Sequence, residues 1–305
     1  MHSTSHSTMA GVWLPLVTPF RDGELDVASV RRLIDHYAEL PVDGLILAAT
    51  TGEGLTLDTD ETERLVAVAA EVAHGRLPIW LGLSGSDTRR MADTVSRTSA
   101  WPIDGYLIAC PYYSRPTQDG IIAHFTALAG RTARPVALYN IPYRTGVNMT
   151  NDTLRQLAEV ANIVGLKDCC ADAAQSFDLL TRRPDGFSVM TGEDALFYSA
   201  LVHGADGGIL ASAHVETAAF AGIRALLRDG DQGDALARWS DLAEVPKLLF
   251  AEPSPSPIKH WLWRAGLIAS PEVRLPMMSV SDGLAKRIDA EMLRRGALGA
   301  ESAVA

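Results

Sequence analysis

The chain has 305 residues, 47% of them hydrophobic, with 27 Lys+Arg against 37 Asp+Glu for a net charge of −10. That balance excludes a disordered, collagen-like or coiled-coil chain, and no basic tract longer than Arg182-Arg183 or Arg89-Arg90 offers a nucleic-acid footprint. No apolar run approaches a membrane span, and three cysteines, with Cys169 and Cys170 adjacent, read as buried thiols of a reducing, cytoplasmic compartment.

Residues 1–10, MHSTSHSTMA, have no hydrophobic stretch and read as a leader, tag or frayed tail. From Gly11 onward, short aliphatic runs alternate with longer stretches of helical periodicity. The runs fall at 12–17, 44–49, 78–83, 105–110, 135–139, 163–166, 187–190 and 207–211. They are apolar throughout rather than alternating, as expected for strands covered on both faces. Asp58 and Asn151 stand where helices should start. Eight strand–helix units over residues 11–230 predict a closed (β/α)8 TIM barrel. The doubly wound alternative lacks a Gly-rich loop, since residues 18–23 read TPFRDG after the first strand. Residues 231–297 predict three helices, at 239–250, 258–267 and 280–293, packed on the barrel as part of one domain unit. The PSPSP run at 253–257 predicts a stiff turn between two of them.

In a barrel of this kind the carboxyl ends of the strands carry the chemistry. Those ends hold Thr18, Thr50-Thr51-Gly52-Glu53, Ser84-Gly85, Pro111-Tyr112-Tyr113, Tyr139-Asn140, Lys167-Asp168, Gly192-Glu193 and Ser212. Lysine is scarce, at four residues, and only Lys167 ends an apolar strand; Lys247, Lys259 and Lys286 lie in the helical region, where exposed or capping positions are expected. An amine desolvated at a strand end has a lowered pKa and can form a Schiff base. The bland reading is a partly buried lysine paired with Asp168 or Glu193. Tyr139 ends the preceding strand, so its phenol is expected beside Lys167, with Thr50 or Thr51 as a proton relay. Its bland reading is a half-buried aromatic whose hydroxyl is satisfied by backbone. Arg144 could clamp a carboxylate or form a surface ion pair. Gly52 permits close backbone approach and N–H groups suited to a carboxylate.

Two rival classes fit less well. A metal enzyme needs clustered ligands, whereas the eight histidines are scattered without an HExxH pattern. A scaffold would gain nothing from a semi-buried amine.

Thr50-Thr51-Gly52-Glu53, Pro111-Tyr112-Tyr113, Tyr139-Asn140-Ile141-Pro142 and Gly165-Leu166-Lys167-Asp168 occur in order at strand ends. In these the chain resembles the dihydrodipicolinate synthase / N-acetylneuraminate lyase family of class I, pyruvate-dependent aldolases, from Gly11 to about Ala290. The resemblance implies a TIM barrel with a C-terminal helical extension, no cofactor or metal, and a homotetramer built as a dimer of dimers. It implies that Lys167 forms the Schiff base with pyruvate. Tyr139 would be the general acid/base, and Thr50 would relay protons toward Tyr113 from a neighbouring subunit. Thr51 and nearby backbone, Gly52 included, would hold the pyruvate carboxylate, and Ile209 would line the pocket. Arg144, in a Pro-x-Arg-Thr-Gly turn, implies a second substrate bearing a carboxylate. The most direct expectation is condensation of pyruvate with L-aspartate 4-semialdehyde, toward diaminopimelate and lysine. The alternative is a paralogue acting on another aldehyde or 2-keto sugar acid.

Several residues depart from the family pattern. Ala49 replaces a glycine and is expected to crowd the pocket. Tyr143 is bulky, and Leu210 and His214 replace polar residues after the eighth strand. Tyr112 matches the lysine-inhibited relatives, but Gly54, Leu55, Thr59, Thr62, Ser86 and Arg90 do not, so insensitivity to lysine is expected.

Overall fold

In the computed structural model, which describes residues 9–170 and 172–298, eight parallel strands close on themselves. They are β1 (Gly11–Pro15), β2 (Gly44–Leu47), β3 (Ile79–Leu83), β4 (Gly105–Ala109), β5 (Val136–Asn140), β6 (Ile163–Asp168), β7 (Ser188–Thr191) and β8 (Gly207–Ile209). Each pairs with its neighbours in sequence, and β1 pairs with β8 through Trp13↔Ile209, closing the ring. All eight predicted runs coincide with these strands to within two residues at either end. The closed ring disposes of the doubly wound alternative.

Two apolar layers follow from strand alternation. Trp13, Ile46, Trp80, Leu107, Ala137, Met190 and Ile209 point into the lumen, while Tyr106, Ile108, Val136 and Leu138 point out against the helices. Trp13 and Trp80 meet edge to face at 5.5 Å between centroids. Each indole lies on a glycine of the next strand: a Cβ at Gly44 would stand 2.5 Å from Trp13, and one at Gly105 the same from Trp80.

The first six barrel helices start on a side-chain cap. These are α1 (Val27–Ala38), α2 (Thr59–Ala73), α3 (Thr88–Thr98), α4 (Gln118–Ala129), α5 (Asn151–Leu157) and α6 (Ala173–Thr181), opened by Asp26, Asp58, Asp87, Thr117, Thr150 and Asp172. Each such cap contributes about 0.5–2 kcal/mol. Asp58 forms a capping box with Glu61. The start expected at Asn151 belongs one residue earlier, to Thr150, whose hydroxyl takes the Thr153 N–H. The Asn151 amide instead donates to the Gln175 carbonyl and Asp178. The ring ends with α7 (Phe197–Val202) and α8 (Ala213–Arg228).

The extension has four helices where three were expected: α9 (Gln232–Leu242), α10 (Glu244–Leu249), α11 (Ser256–Arg264) and α12 (Asp282–Arg294). The first expected helix divides at Ala243 because Pro246 has no N–H to give and its ring obstructs the preceding turn. Residues 1–8 of the expected leader lie outside the described residues, but Met9 is buried in the lumen cluster and the Trp13 indole donates to the Ala10 carbonyl at 3.0 Å. Those two residues therefore pack with the barrel.

One irregularity positions the site. Val136 pairs with Ile163, but Ala137 pairs with Gly165, so β6 carries an extra residue at Val164. Without that bulge, alternation from outward-facing Ile163 would turn residue 167 outward. With it, Lys167 pairs with Tyr139 and both face the lumen. Gly165 permits the close approach there, since a Cβ would sit 2.6 Å from the Ser188 backbone carbonyl. Gly165→Ala is therefore expected to force β6 and β7 apart at a cost of about 1–3 kcal/mol, measured as a lower urea midpoint.

Candidate active site

Lys167 reaches up from the lumen at the carboxyl end of β6, buried, with Nζ 4.4 Å from the centre of the Tyr139 ring. The expected bland partners do not take it. Asp168 faces away, accepting from the Cys170 N–H at 2.9 Å and the Ser176 hydroxyl at 2.6 Å. Among the described residues, neither Asp168 nor Glu193 forms an ion pair with Lys167. Burial lowers the Lys167 pKa from the ordinary lysine range; Cys169, Asp194 and Glu193 oppose the shift and Arg144 adds to it. Gly192 makes the space, because a Cβ there would stand 2.4 Å from both Lys167 Cε and Cys169 Sγ.

The Tyr139 phenol is buried, which raises its pKa well above the usual range, with Cys169 and Tyr143 raising it further. Arg144 and a hydrogen bond with the Thr50 side chain act the other way, favouring the phenolate. Lys167 and Thr50 therefore both meet Tyr139. Ile209 joins Tyr139 and Cys169 in the apolar floor beneath them.

Thr51 and Gly52 lie in a tight turn after β2. Ala48 and Glu53 both adopt left-handed backbone angles, φ 54° and 53°, a conformation costing about 1–3 kcal/mol at a non-glycine residue. Glu53 N–H donates to the Thr50 carbonyl and Gly54 N–H to that of Ala49, which leaves the Thr51 and Gly52 amides outside the turn's own hydrogen bonds. The Thr18 hydroxyl fixes the Gly52 carbonyl at 2.7 Å. Gly52 is needed for close approach, as a Cβ would stand 2.8 Å from the Leu16 carbonyl.

Arg144 sits on the one-turn helix Pro142–Thr145 after β5 and lines, with Thr50 and Ala49, a cleft of about 290 Å³ at the barrel mouth. Tyr113 stands apart from the other candidates: it is 93% exposed and points away from the chain, its N–H donating to the Thr145 carbonyl at 3.1 Å. Its φ of 69° is left-handed.

The departures fall unevenly. Crowding by Ala49 is absorbed by Gly82, where a Cβ would lie 2.8 Å from the Ala49 methyl. Leu210 is buried in the outer core. His214 keeps its polar contacts but spends them on backbone: Nε2 accepts from the Val17 N–H at 3.2 Å and Nδ1 lies 2.7 Å from the Ala211 carbonyl. Burial brings its pKa down to about 4. Tyr143 does enter the site, with its phenol against the Glu193 carboxyl.

Cys169 was not singled out from sequence, and Glu193 was named only at a strand end and as an alternative ion-pair partner of Lys167. Both adjoin Lys167, and burial raises the pKa of both. Lys259, expected on an exposed or capping position, is fully buried and paired with Glu53. Burial brings its pKa down to about 8 against the opposing pull of Glu53. Lys247 does lie exposed, paired with Glu244. Among the described residues, no group of His, Cys, Asp and Glu is placed to hold a metal ion, and no helix is long and apolar enough to cross a membrane.

The chain is similar to several known proteins. A 4-hydroxy-tetrahydrodipicolinate synthase 2 of Clostridium acetobutylicum is 44% identical over 92% of this chain and 98% of its own. A 4-hydroxy-tetrahydrodipicolinate synthase of Sphingopyxis alaskensis is 35% identical over 93% and 97%. The crystal structure of dihydrodipicolinate synthase from Thermotoga maritima superposes with a TM-score of 0.93 at 31% identity, covering 95% of this chain and all of that one. The sequence pattern of the Dihydrodipicolinate synthetase family matches residues 8–293, and the chain belongs to that family.

Proposed function

We propose that this protein condenses pyruvate with L-aspartate 4-semialdehyde through a Schiff base on Lys167, acting as a 4-hydroxy-tetrahydrodipicolinate synthase. The observation that carries the reading is a buried lysine, without an ion pair among the described residues, on the lumen face beside a buried phenol. Its neutral Nζ adds to the pyruvate ketone and water leaves, giving an imine. Loss of a methyl proton gives an enamine, whose carbon attacks the aldehyde. The amine of the second substrate then displaces Lys167 from the imine carbon, closing the ring.

Tyr139 is the group placed to hold and return those protons, with Thr50 hydrogen-bonded behind it. The relay continues in Tyr113 of a second copy: a left-handed, 93% exposed tyrosine suits insertion into a neighbour's site. A homotetramer built as a dimer of dimers would supply it. Thr51 and the unused amides of residues 51 and 52 hold the pyruvate carboxylate. Ile209 lines the floor below the ketone. Arg144, at the rim of the cleft, receives the carboxylate of the second substrate. Three buried, unpaired cysteines support a reducing, cytoplasmic setting.

One observation favours a second reading, an aldolase for another aldehyde or 2-keto sugar acid. Tyr143 and Glu193 bring a phenol and a carboxyl to the side of the site that would receive the second substrate.

Borohydride added with pyruvate is expected to raise the mass of the chain by one reduced adduct and to place it on Lys167; an adduct on another lysine, or none, refutes the mechanism. Because burial lowers the Lys167 pKa, the neutral fraction grows with pH, so the trapping rate is expected to fall as pH drops through that lowered pKa. Arg144→Ala is expected to lower kcat/KM for aspartate semialdehyde by roughly tenfold to a hundredfold, the worth of a charge-assisted hydrogen bond, while half-saturating pyruvate is unchanged. Unaltered turnover of that substrate would select the second reading.

A further inference from the structure

The turn that holds Thr50, Thr51 and Gly52 is secured from outside the barrel. Glu53 occupies a left-handed conformation that a residue with a Cβ adopts only under restraint. Its side chain is buried, and two donors from the C-terminal extension take it. The Lys259 ammonium pairs with Oε1, and the Arg274 backbone N–H donates to Oε2 at 2.9 Å. Lys259 is in turn held by the Glu272 carbonyl at 2.7 Å and lies over the Phe20 ring at 4.4 Å. The Arg274 guanidinium donates to the Thr56 carbonyl at 3.0 Å, closing the far side of the same turn.

The segment that brings Lys259 in also borders the cleft. Lys259 lies on α11, whose preceding residues Ser254 and Pro255 line the cleft together with Thr50 and Arg144. A buried ion pair is a poor source of net stability, because both charges lose their water. Its direction and length are nonetheless well fixed, and here they fix the backbone that precedes and follows Glu53.

We propose that Lys259 is a positioning residue for pyruvate binding: through its buried pair with Glu53 it holds residues 50–54 in the conformation that presents the Thr51 and Gly52 amides to the substrate carboxylate. The inference rests on the Schiff-base reading given above. It assigns the C-terminal extension a part in ground-state recognition of the first substrate, with Lys259 touching no reacting atom.

The test is pyruvate-dependent trapping with borohydride, followed by intact-protein mass across a pyruvate series, in the full-length wild type and in Lys259→Met. An unlabelled wild type would refute the Schiff-base reading itself, apart from any role of Lys259. With a labelled wild type, Lys259→Met is expected to raise half-saturating pyruvate roughly tenfold to a hundredfold, as for displaced binding groups, while the labelled plateau at saturation is retained. An unchanged half-saturation overturns the proposal. If Lys259→Met does not fold, Lys259→Met combined with Glu53→Gln removes both charges and leaves an acceptor for Arg274. A folded double variant with raised half-saturating pyruvate supports the positioning role. A return to the wild-type value, or loss of the fold in both variants, makes the pair structural and overturns it.

Discussion

A single extra residue in β6 decides which way Lys167 faces. Strand alternation is unforgiving: a register change of one residue exchanges the lumen face for the helix face along the rest of a strand. Val164 and Gly165 both fall on the lumen side, and from there to the strand end the alternation is reset. Lys167 consequently shares a face with Tyr139, while Asp168 is turned toward Ser176 on α6. The bulge thus turns the amine into the lumen and the carboxylate beside it in sequence outward, and burial there lowers the pKa of the amine. Gly165 allows the irregular strand to lie close on β7.

The lumen is graded along its axis. Its lower end holds Trp13 and Trp80, packed on Gly44 and Gly105. Above them the side chains become polar, with Tyr139, Lys167, Glu193 and Asp194 toward the mouth. Burial raises the Asp194 pKa to about 6, against the Ser212 N–H and Lys167, which favour its ionised form. The charges that face Lys167 are therefore themselves weakened by burial. Their opposition to the lowered pKa of Lys167 is correspondingly reduced.

The strands were readable because both faces of each are covered, so burial leaves a continuous aliphatic run whose limits the structure shifts by two residues at most. The strand-end residues were readable for a related reason: a polar group that ends such a run has few places to go besides the mouth. Lys259 was not. Ile258-Lys259-His260-Trp261-Leu262 has the texture of an amphipathic helix with its lysine in water, and the carboxylate that makes burial tolerable lies 206 residues earlier. No local pattern carries a pairing across that distance. The division of the extension at Ala243 had a visible cause in Pro246, but the apolar periodicity on either side of it concealed the break. Glu193 stood in view at a strand end, yet its meeting with Tyr143 depends on how two different loops close.

The family departures can now be weighed by what they touch. Ala49 is compensated by Gly82, Leu210 belongs to the outer core, and His214 is engaged by the backbone of the β1 and β8 ends. None of these alters the groups around the Lys167 nitrogen. Tyr143 differs: it is more than half exposed, yet its phenol lies against Glu193 inside the mouth, next to Arg144 on the same short helix. The guanidinium thus lies over the Tyr143 ring, 5.8 Å from its centre, and the Glu193 carboxyl meets the phenol of the same side chain. On the function proposed above, these groups would offer a second substrate a cation for its carboxylate and an acceptor for its amine or hydroxyl. Selectivity for that substrate would then fall to the Tyr143–Arg144 pair and Glu193, while the other departures leave the surroundings of Lys167 unchanged.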